Sequence, residues 1–212
     1  MAIGVFGGTF DPVHIGHLRT ALELKNFLDL DAMLLVPCGT PPHRQPPVAA
    51  ANDRLAMLEL AVADEPGLVA DGREIRRGGL SFSIDTLVEL RGELDRDEPL
   101  CFCIGMDSLL SLASWHRWEE YLDYAHIVVV ARPGWQRPTQ GEIAGWLDRH
   151  LVADRAALQS RPAGLVYIDE MTLLPVSATS LREELGCGRS VRYLTTDSVI
   201  DYIRNNRLYV PS

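Results

Sequence analysis

The 212-residue sequence lacks the features that mark membrane, secreted and nucleic-acid-binding proteins. No apolar run approaches the roughly 20 residues that a membrane span needs. The first residues, "MAIGVFGG", have neither a basic region nor a long apolar core, so we expect no signal peptide. Basic residues are few, 20 against 29 acidic ones, and the net charge is −9. A surface of that sign argues against a nucleic acid or an anionic membrane as the main partner.

Cysteine is also scarce, and its four residues form no CxxC pair. They are Cys38, Cys101, Cys103 and Cys187. Cys101 and Cys103 alternate in an apolar run, which places both on one face of a strand as small apolar residues. We therefore expect a reduced chain in the cytoplasm. Apolar residues make up 47% and charged residues 23%, as in an ordinary soluble globular protein.

No repeat, low-complexity segment or clear linker interrupts the alternation of predicted strands and helices. Short apolar runs typical of buried strands are "AIGVF", "AMLLVP", "GLVAD", "PLCFCIG", "HIVVVARPG" and "GLVYID". Strands that are apolar throughout and separated by helices indicate a parallel sheet covered on both faces. The sequence predicts an α/β, Rossmann-like doubly wound parallel sheet with a helical C-terminal portion. We assign a single domain, 1–212, with a nucleotide-binding core over 1–135 and a C-terminal portion over 136–212.

Three helical predictions are less regular. One helix is predicted to begin with Asn52 as its N-cap. A second helical stretch is predicted over 107–125, with a bend near Ser114, and a third, polar one over about 139–160. The proline-rich segment between the second strand and the Asn52 helix reads as a functional loop, because loops of that length are uncommon.

The segment "VFGGTFDPVHIGHLRTA", residues 5–21, is the main candidate site. Gly7 and Gly8 end the first strand and let a ligand lie against bare backbone N–H groups. His14 and His17, three residues apart at a helix start, can both face one anion. The segment is neither a GxGxxG fingerprint nor a P-loop. The alternatives are zinc held by the two histidines, for which no third ligand stands at a familiar spacing, and a purely structural role.

These residues match a known family. "GGTFDPVHIGHL" resembles the signature of nucleotidyltransferases with an HxGH motif, and "VSATSLR", residues 176–182, resembles their second signature, ISSTxxR. Val176 and Ala178 depart from it, and Ala178 removes one hydroxyl. Within that superfamily, "VPCGTPPHR", "GGLSFSIDTL", "IGMDSLLSLASWHRWEEYL" and "VVVARPG" resemble, in order, segments of the bacterial nicotinate mononucleotide adenylyltransferases.

The resemblance implies transfer of the adenylyl group of ATP to nicotinic acid mononucleotide, giving deamido-NAD and pyrophosphate with Mg²⁺. It implies that ATP and this mononucleotide are the partners, and it specifies neither an oligomeric state nor a metal ligand on the chain. Phosphopantetheine adenylyltransferase shares the HxGH motif and is an alternative, although it usually lacks the "SFSIDTL" and "SWHRW" segments. A non-catalytic nucleotide-binding protein on the same fold is a second alternative.

Roles follow from the matched positions. The resemblance implies that His14, His17 and Arg182 stabilise the transition state and the departing pyrophosphate. The predicted contacts to ATP and its phosphates are Gly7, Gly8, Thr9, Phe10, Asp107, Ser177, Thr179 and Ser180. The predicted contacts to the mononucleotide are His43, Arg44, Ser83, Thr86, Trp115, His116 and Arg132. Among these, Trp115 is the candidate to stack on the pyridine ring and Ser83 the candidate to donate to the nicotinate carboxylate.

Overall fold

The computed structural model describes residues 1–41, 45–171 and 173–210, and these form a seven-stranded sheet. The strands are β1 (Ile3–Gly8), β2 (Ala32–Pro37), β3 (Leu68–Ala70), β4 (Leu100–Gly105), β5 (His126–Ala131), β6 (Leu151–Val152) and β7 (Val166–Glu170). Their order is β3-β2-β1-β4-β5-β7-β6. The β1–β4, β2–β3, β4–β5, β5–β7 and β6–β7 pairs are parallel, with Ile3 opposite Leu100 in the first of them.

Helices follow most strands. They are α1 (Ile15–Phe27), α2 (Ala51–Val62), α3 (Arg73–Arg77), α4 (Ser83–Glu93), α5 (Met106–Ser111), α6 (Tyr121–Tyr124), α7 (Glu142–His150), α8 (Ala178–Gly186) and α9 (Asp197–Asn205). The strand order reverses at the β1–β4 pair, which is the pattern of a doubly wound sheet. The predicted Rossmann-like α/β fold is confirmed.

The strands are buried for the reason that the sequence indicates. All six residues of β5 are buried, as are the first five of β4, so neither strand has a polar face. Cys101 and Cys103 lie in β4 as buried free thiols, and burial raises the pKa of each. Strands buried on both faces in this way, with His126 as the polar residue of β5, require covering elements on both faces of a parallel sheet.

The chain divides into two compact units that alternate along the sequence. The first unit comprises Met1–Phe6, Leu28–Ala32 and Phe82–Thr172. The second comprises Gly7–Phe27, Met33–Ser81 and Leu173–Ser212. The assignment of 1–212 to one domain stays a prediction. In the part of the chain that the structure describes, no helix has the length and apolar character needed to cross a membrane.

Three local predictions need correction. Helix α2 begins at Ala51, after Ala50 as N-cap, and no side chain caps it, so Asn52 lies inside the helix. The stretch predicted as one bent helix over 107–125 is two short helices, α5 and α6, separated by two 3₁₀ turns. Arg117 interrupts it because its backbone is left-handed, with φ of 52°. The polar stretch over 139–160 holds α7, then strand β6, then a 3₁₀ helix at Arg155–Ser160.

Candidate active site

The loop after β1 is shaped by Phe10. Its side chain is 1% exposed and its backbone has a φ of 49°. A Cβ atom on Gly8 would lie 2.9 Å from the Phe10 ring carbon Cζ, so packing of this ring alone requires glycine at position 8. Gly7 differs, because no atom of the described residues lies within 4 Å of where its Cβ would be. At Gly7 there is therefore open space in which a ligand could lie close to the backbone, as the sequence predicts.

The two motif histidines form a stacked pair at the start of α1. The carbonyl of His14 accepts hydrogen bonds from the backbone N–H of His17 at 2.9 Å and of Leu18 at 3.2 Å. The two imidazole centroids are 3.7 Å apart, with an interplanar angle of 21°. A Cβ atom on Gly16 would lie 3.0 Å from Nδ1 of His14. The glycine between the histidines therefore lets the His14 ring fold over the first helical turn.

The pair is neutral at pH 7. Burial lowers the pKa of His14 to about 4. Burial also lowers the pKa of His17 to about 3, and the neighbouring charge of His14 adds to that effect. The Nδ1 atoms of both rings are buried and have no hydrogen-bond partner among the described residues. A neutral imidazole has one N–H donor, so each ring can offer one hydrogen bond to an anion without holding a positive charge beforehand.

Arg54 of α2 holds the loops at the carboxyl ends of β1 and β2. Its side chain is buried, and its Nη1 donates to the Thr9 carbonyl at 2.7 Å. Its Nη2 donates to the carbonyls of Cys38 at 2.6 Å and Gly39 at 3.2 Å. Hydrogen bonds from a charged donor to backbone carbonyls are among the stronger ones. Arg54 therefore fixes the two loops against each other at the edge of the sheet where ligands of such folds bind.

Asp11 is a second buried charged residue of this unit. The backbone N–H groups of Val48 and Ala49 donate to its carboxylate at 2.7 and 3.1 Å. The Tyr209 hydroxyl donates to Oδ1 at 2.6 Å. Arg182 Nη1 donates to the Asp11 carbonyl at 2.6 Å and lies 3.9 Å from Oδ2. Asp11 thus joins the first motif to the loop after β2 and to the second motif.

The second motif forms the start of α8. Ser177 is the N-cap, and its hydroxyl accepts from the Ser180 N–H at 3.2 Å. Arg182 Nη2 lies 3.3 Å from the Thr179 hydroxyl, which accepts its hydrogen bond. Thr179 and Ser180 are exposed in the first turn of the helix. The structure therefore gives Ser177 a capping role within the chain, while Thr179, Ser180 and Arg182 stand together at the helix start.

The segment between α8 and α9 supports the first motif. The backbone N–H of Ile15 donates to the Leu194 carbonyl at 2.9 Å, and the buried Thr195 hydroxyl donates to the Val13 carbonyl at 2.9 Å. Beneath this segment a cluster of apolar residues is buried: Leu181, Val191 and Ile200, with Val176, Leu185 and Leu194 packed on it. The residues on either side of His14 are therefore anchored to the segment that follows the second motif.

Sequence reasoning missed Asp11, Arg54 and Tyr209. Asp11 lies inside the quoted "GGTFDPVHIGHL" but was assigned no role. Arg54 had a recognisable signal, because it occupies the buried face of α2 together with Met57 and Leu58, where a charged residue needs a partner. Tyr209 had no local signal, since its partner Asp11 is 198 residues away.

The predicted pyridine-binding residues lie in the first unit. Ser83 is the first residue of α4, and Thr86, one turn on, is 2% exposed. The Trp115 ring packs edge-on to Phe102 and Tyr121, with centroids 6.4 and 6.0 Å away. Trp115 is only partly buried, so a ligand ring can stack on the part of its surface that is exposed.

The segment after Trp115 is held by contacts to the start of α4. The His116 ring is exposed and lies 4.4 Å from the Phe82 ring, centroid to centroid. Arg117, which has the left-handed backbone, forms an ion pair with Glu120 at 2.6 Å and with Asp85 at 3.6 Å. These contacts place His116 beside the first turn of α4.

Two further candidates stand after strands β4 and β5. Asp107 is exposed in the first turn of α5, and its Oδ1 lies 2.6 Å from where a Cβ atom of Gly105 would be. Glycine at 105 therefore gives room for this carboxylate beside the end of β4. Arg132 is exposed directly after β5. His43 and Arg44, the other predicted mononucleotide contacts, lie outside the described residues.

The fold, the HxGH pair and the arginine of the second motif together define a nucleotidyltransferase. Residues 5–184 match the cytidylyltransferase-like family. The Aeromonas salmonicida protein named "Probable nicotinate-nucleotide adenylyltransferase" is 50% identical over 207 residues, covering 98% of this chain and 96% of that protein. A protein of the same name from Methylococcus capsulatus is 45% identical over 208 residues, covering 98% and 99%.

The chain therefore belongs to the cytidylyltransferase-like family and, within it, to the nicotinate-nucleotide adenylyltransferases. The predicted family resemblance is confirmed. Among solved structures, the Plasmodium falciparum nicotinic acid mononucleotide adenylyltransferase complexed with NaAD has a TM-score of 0.71, at 17% identity, over 98% of this chain and 97% of that one. That likeness independently confirms the fold.

Proposed function

We propose that this protein transfers the adenylyl group of ATP to nicotinic acid mononucleotide, forming deamido-NAD and pyrophosphate in NAD biosynthesis. The observation that carries the proposal is the neutral, stacked pair of His14 and His17 beside the open backbone at Gly7, in a chain 50% identical to relatives of that name. A phosphate-binding site of this kind suits adenylyl transfer, which depends on positioning and on stabilising charge.

The reaction is a single in-line displacement. An oxygen of the mononucleotide phosphate attacks the α-phosphorus of ATP and forms the new P–O bond. The bond from the α-phosphorus to the bridging oxygen of the β-phosphate breaks, and pyrophosphate departs with that electron pair. No proton has to be transferred and no covalent enzyme intermediate is formed, so the protein contributes orientation and hydrogen bonds.

The residues divide this work according to their chemistry. His14 and His17 each donate one N–H to phosphate oxygens, and their charge rises only as the phosphates supply negative charge. Arg182, with Thr179, Ser180 and the first N–H groups of α8, stabilises the departing pyrophosphate. The backbone from Gly7 to Phe10 passes along the nucleotide, and Asp107 accepts from a ribose hydroxyl.

The mononucleotide is selected by its pyridine substituent. Trp115 stacks on the ring, while Ser83 and the backbone of Trp115 and His116 donate to the carboxylate oxygens. Thr86 and Arg132 are weaker candidates for contact with this substrate. Donors placed for two carboxylate oxygens leave one of them facing the NH₂ group of the amide, which is costly when buried. We therefore expect the acid to be preferred to the amide by at least about 10²-fold in kcat/KM, roughly 3 kcal/mol.

Mg²⁺ is proposed as the metal that accompanies ATP. No cluster of three or more His, Cys, Asp or Glu side chains suited to a metal occurs over residues 1–41, 45–171 and 173–210. Mg²⁺ commonly keeps several waters and binds through substrate phosphates, so these residues fit a metal delivered on ATP. Bound there, it would neutralise phosphate charge. We place the protein in the cytoplasm, as the four free cysteines favour a reducing compartment.

The test is pyrophosphate release after mixing the protein with ATP, Mg²⁺ and one acceptor. Nicotinic acid mononucleotide, nicotinamide mononucleotide and phosphopantetheine are compared at equal concentration, and the product is identified by mass. Fastest turnover with nicotinic acid mononucleotide is expected. Equal rates with the acid and the amide would reject nicotinate specificity alone. Turnover only with phosphopantetheine would reject the proposed substrate, and no turnover with any acceptor would favour a non-catalytic nucleotide-binding protein.

A further inference from the structure

The chain after α9 folds back through two left-handed residues. Arg207 has a φ of 52° and Tyr209 a φ of 59°. Neither is glycine, and such conformations persist only where the surroundings hold them. The N–H of Arg207 donates to the Arg204 carbonyl at 3.2 Å, and the N–H of Leu208 donates to the Ile203 carbonyl at 3.0 Å. This strained turn directs the Tyr209 side chain back to the first motif.

The contact that the turn makes is a hydrogen bond from the half-buried Tyr209 to a buried carboxylate. Tyr209 Oη donates to Asp11 Oδ1 at 2.6 Å, and Asp11 is 4% exposed. Burial, and then the Asp11 carboxylate, raise the pKa of Tyr209 well above its ordinary value, so the phenol keeps its proton and remains a donor. Strain at two residues and a short hydrogen bond to a buried carboxylate indicate that this turn has a role at the first motif.

The other side of Asp11 faces Arg182. The Asp11 carbonyl accepts from Arg182 Nη1 at 2.6 Å, while Oδ2 lies 3.9 Å from the same nitrogen. Oδ2 also accepts from the Val48 N–H and Oδ1 from the Ala49 N–H. Tyr209 thus helps to orient the Asp11 carboxylate. Together with the Val48 and Ala49 N–H groups, it is one of the donors, other than Arg182, that satisfy this carboxylate.

We infer that Tyr209 is a positioning residue that acts on Arg182 through Asp11. With Tyr209 bound to Oδ1, the carboxylate is satisfied and the Arg182 guanidinium keeps its position beside Thr179. Without the hydroxyl, Oδ1 loses a donor and the carboxylate attracts Arg182 more strongly, which withdraws the guanidinium from the phosphates. The inference rests on the proposed role of Arg182 at the pyrophosphate.

The experiment is a double-mutant cycle of Tyr209→Phe and Arg182→Ala, with pyrophosphate binding measured by calorimetry. We expect Tyr209→Phe to weaken pyrophosphate binding about fivefold and to lower kcat about tenfold. In the Arg182→Ala background, Tyr209→Phe should change pyrophosphate affinity less than about twofold, because its target is gone.

Tyr202→Phe is the matched control. In the wild type the Tyr202 hydroxyl, in α9, donates to Asp53 Oδ1 at 2.9 Å. The substitution therefore also removes one tyrosine–aspartate hydrogen bond from this unit. It should leave pyrophosphate affinity and kcat within about twofold of the wild type, since no positioning of Arg182 depends on it. Thermal unfolding of each variant is recorded alongside.

Each outcome decides the inference. Equal effects of Tyr209→Phe with and without Arg182 would overturn it, as would unchanged pyrophosphate affinity or a Tyr209→Phe protein that fails to fold. The last result would make Tyr209 an anchor of the chain only. Because pyrophosphate binding needs no acceptor, the cycle remains decisive even if turnover with nicotinic acid mononucleotide fails, and that failure would count against the proposed function alone.

Discussion

Arg54 in the second unit and Arg91 in the first each donate to three backbone carbonyls, but these carbonyls lie at opposite ends of strands. In the second unit, Arg54 binds the carbonyls of the loops that follow β1 and β2. In the first unit, Arg91 binds the Tyr124, Glu98 and Pro162 carbonyls, two of which precede β5 and β4. Ligands of doubly wound sheets bind at the carboxyl ends of strands. The same arrangement therefore stabilises both units, and in the second unit it also holds the loops of the candidate site.

The units also differ in what surrounds their candidate residues. Around the histidine pair, buried charged groups bind backbone atoms: Arg54 is 1% and Asp11 4% exposed. Around Trp115, the contacts are between rings, and the ion pairs of Arg117 are largely solvent-exposed. Exposed ion pairs contribute little, whereas buried charged hydrogen bonds fix geometry. We expect changes in the second unit to alter turnover of all acceptors, and changes in the first to alter the choice among them.

The largest expected effect is on stability, from Arg54→Met. It leaves three carbonyls in the carboxyl-end loops without their donor and should lower the free energy of unfolding by about 4 kcal/mol. Arg91→Met, at a half-buried position, should cost about 2 kcal/mol, since water can reach its carbonyls more easily. Urea unfolding measures both. In addition, kcat should fall in folded Arg54→Met and stay within about twofold of wild type in Arg91→Met. Equal stability and equal activity of the two variants would remove the distinction between the two arginines.

The next effect is on turnover, from His17→Ala. Loss of one preorganised donor to the phosphates should lower kcat by about 10²-fold or more, ~3 kcal/mol, with either mononucleotide as acceptor. His150→Ala, which removes a histidine at the end of α7, is the control and should retain full turnover. Steady-state pyrophosphate release gives the numbers. A folded His17→Ala protein with unchanged kcat would contradict the catalytic assignment.

A smaller effect is expected on specificity, from Ser83→Ala. Loss of this hydroxyl should reduce the preference for the acid over the amide about tenfold, ~1.4 kcal/mol, because one carboxylate donor is removed. Trp115→Ala should lower kcat/KM for both mononucleotides to the same extent, since stacking on the ring does not distinguish the acid from the amide. Ser160→Ala, in the 3₁₀ helix of the same unit, is the control. The measurement is kcat/KM for both mononucleotides at saturating ATP. A preference for the acid that Ser83→Ala leaves unaltered would show that Ser83 does not donate to the carboxylate.

The smallest effect is expected from Ala178→Ser, which restores the hydroxyl that the second motif lacks. Ala178 begins α8, and Ser177 already caps that helix. The added hydroxyl should therefore change the KM for ATP less than about threefold, within ~0.7 kcal/mol. A much larger decrease in KM would mean that position 178 faces the phosphates.

Much of the fold could be predicted because its signals are local. A strand such as β5 is marked by consecutive β-branched residues, and the start of α1 by the histidines and glycine before an apolar period. Local signals failed where a neighbour in space decided the outcome. The helix expected over 107–125 is instead broken between its halves, where the backbone of Trp115 is extended and that of Arg117 is left-handed, and Arg117 pairs with Asp85 and Glu120. Helix α2 begins without the Asn52 cap because packing of its apolar face outweighs a single capping bond.

The sequence by itself determined the class of fold, the family and the two motifs that define the candidate site. Only the tertiary structure decided how those motifs are held. Asp11 meets Arg182 across 171 residues and Tyr209 across 198, while Arg54 reaches Thr9 across 45. The physical reason is that periodicity and turn chemistry act over a few residues, whereas a buried charge is satisfied by whichever donors or acceptors the folded chain brings within about 3 Å.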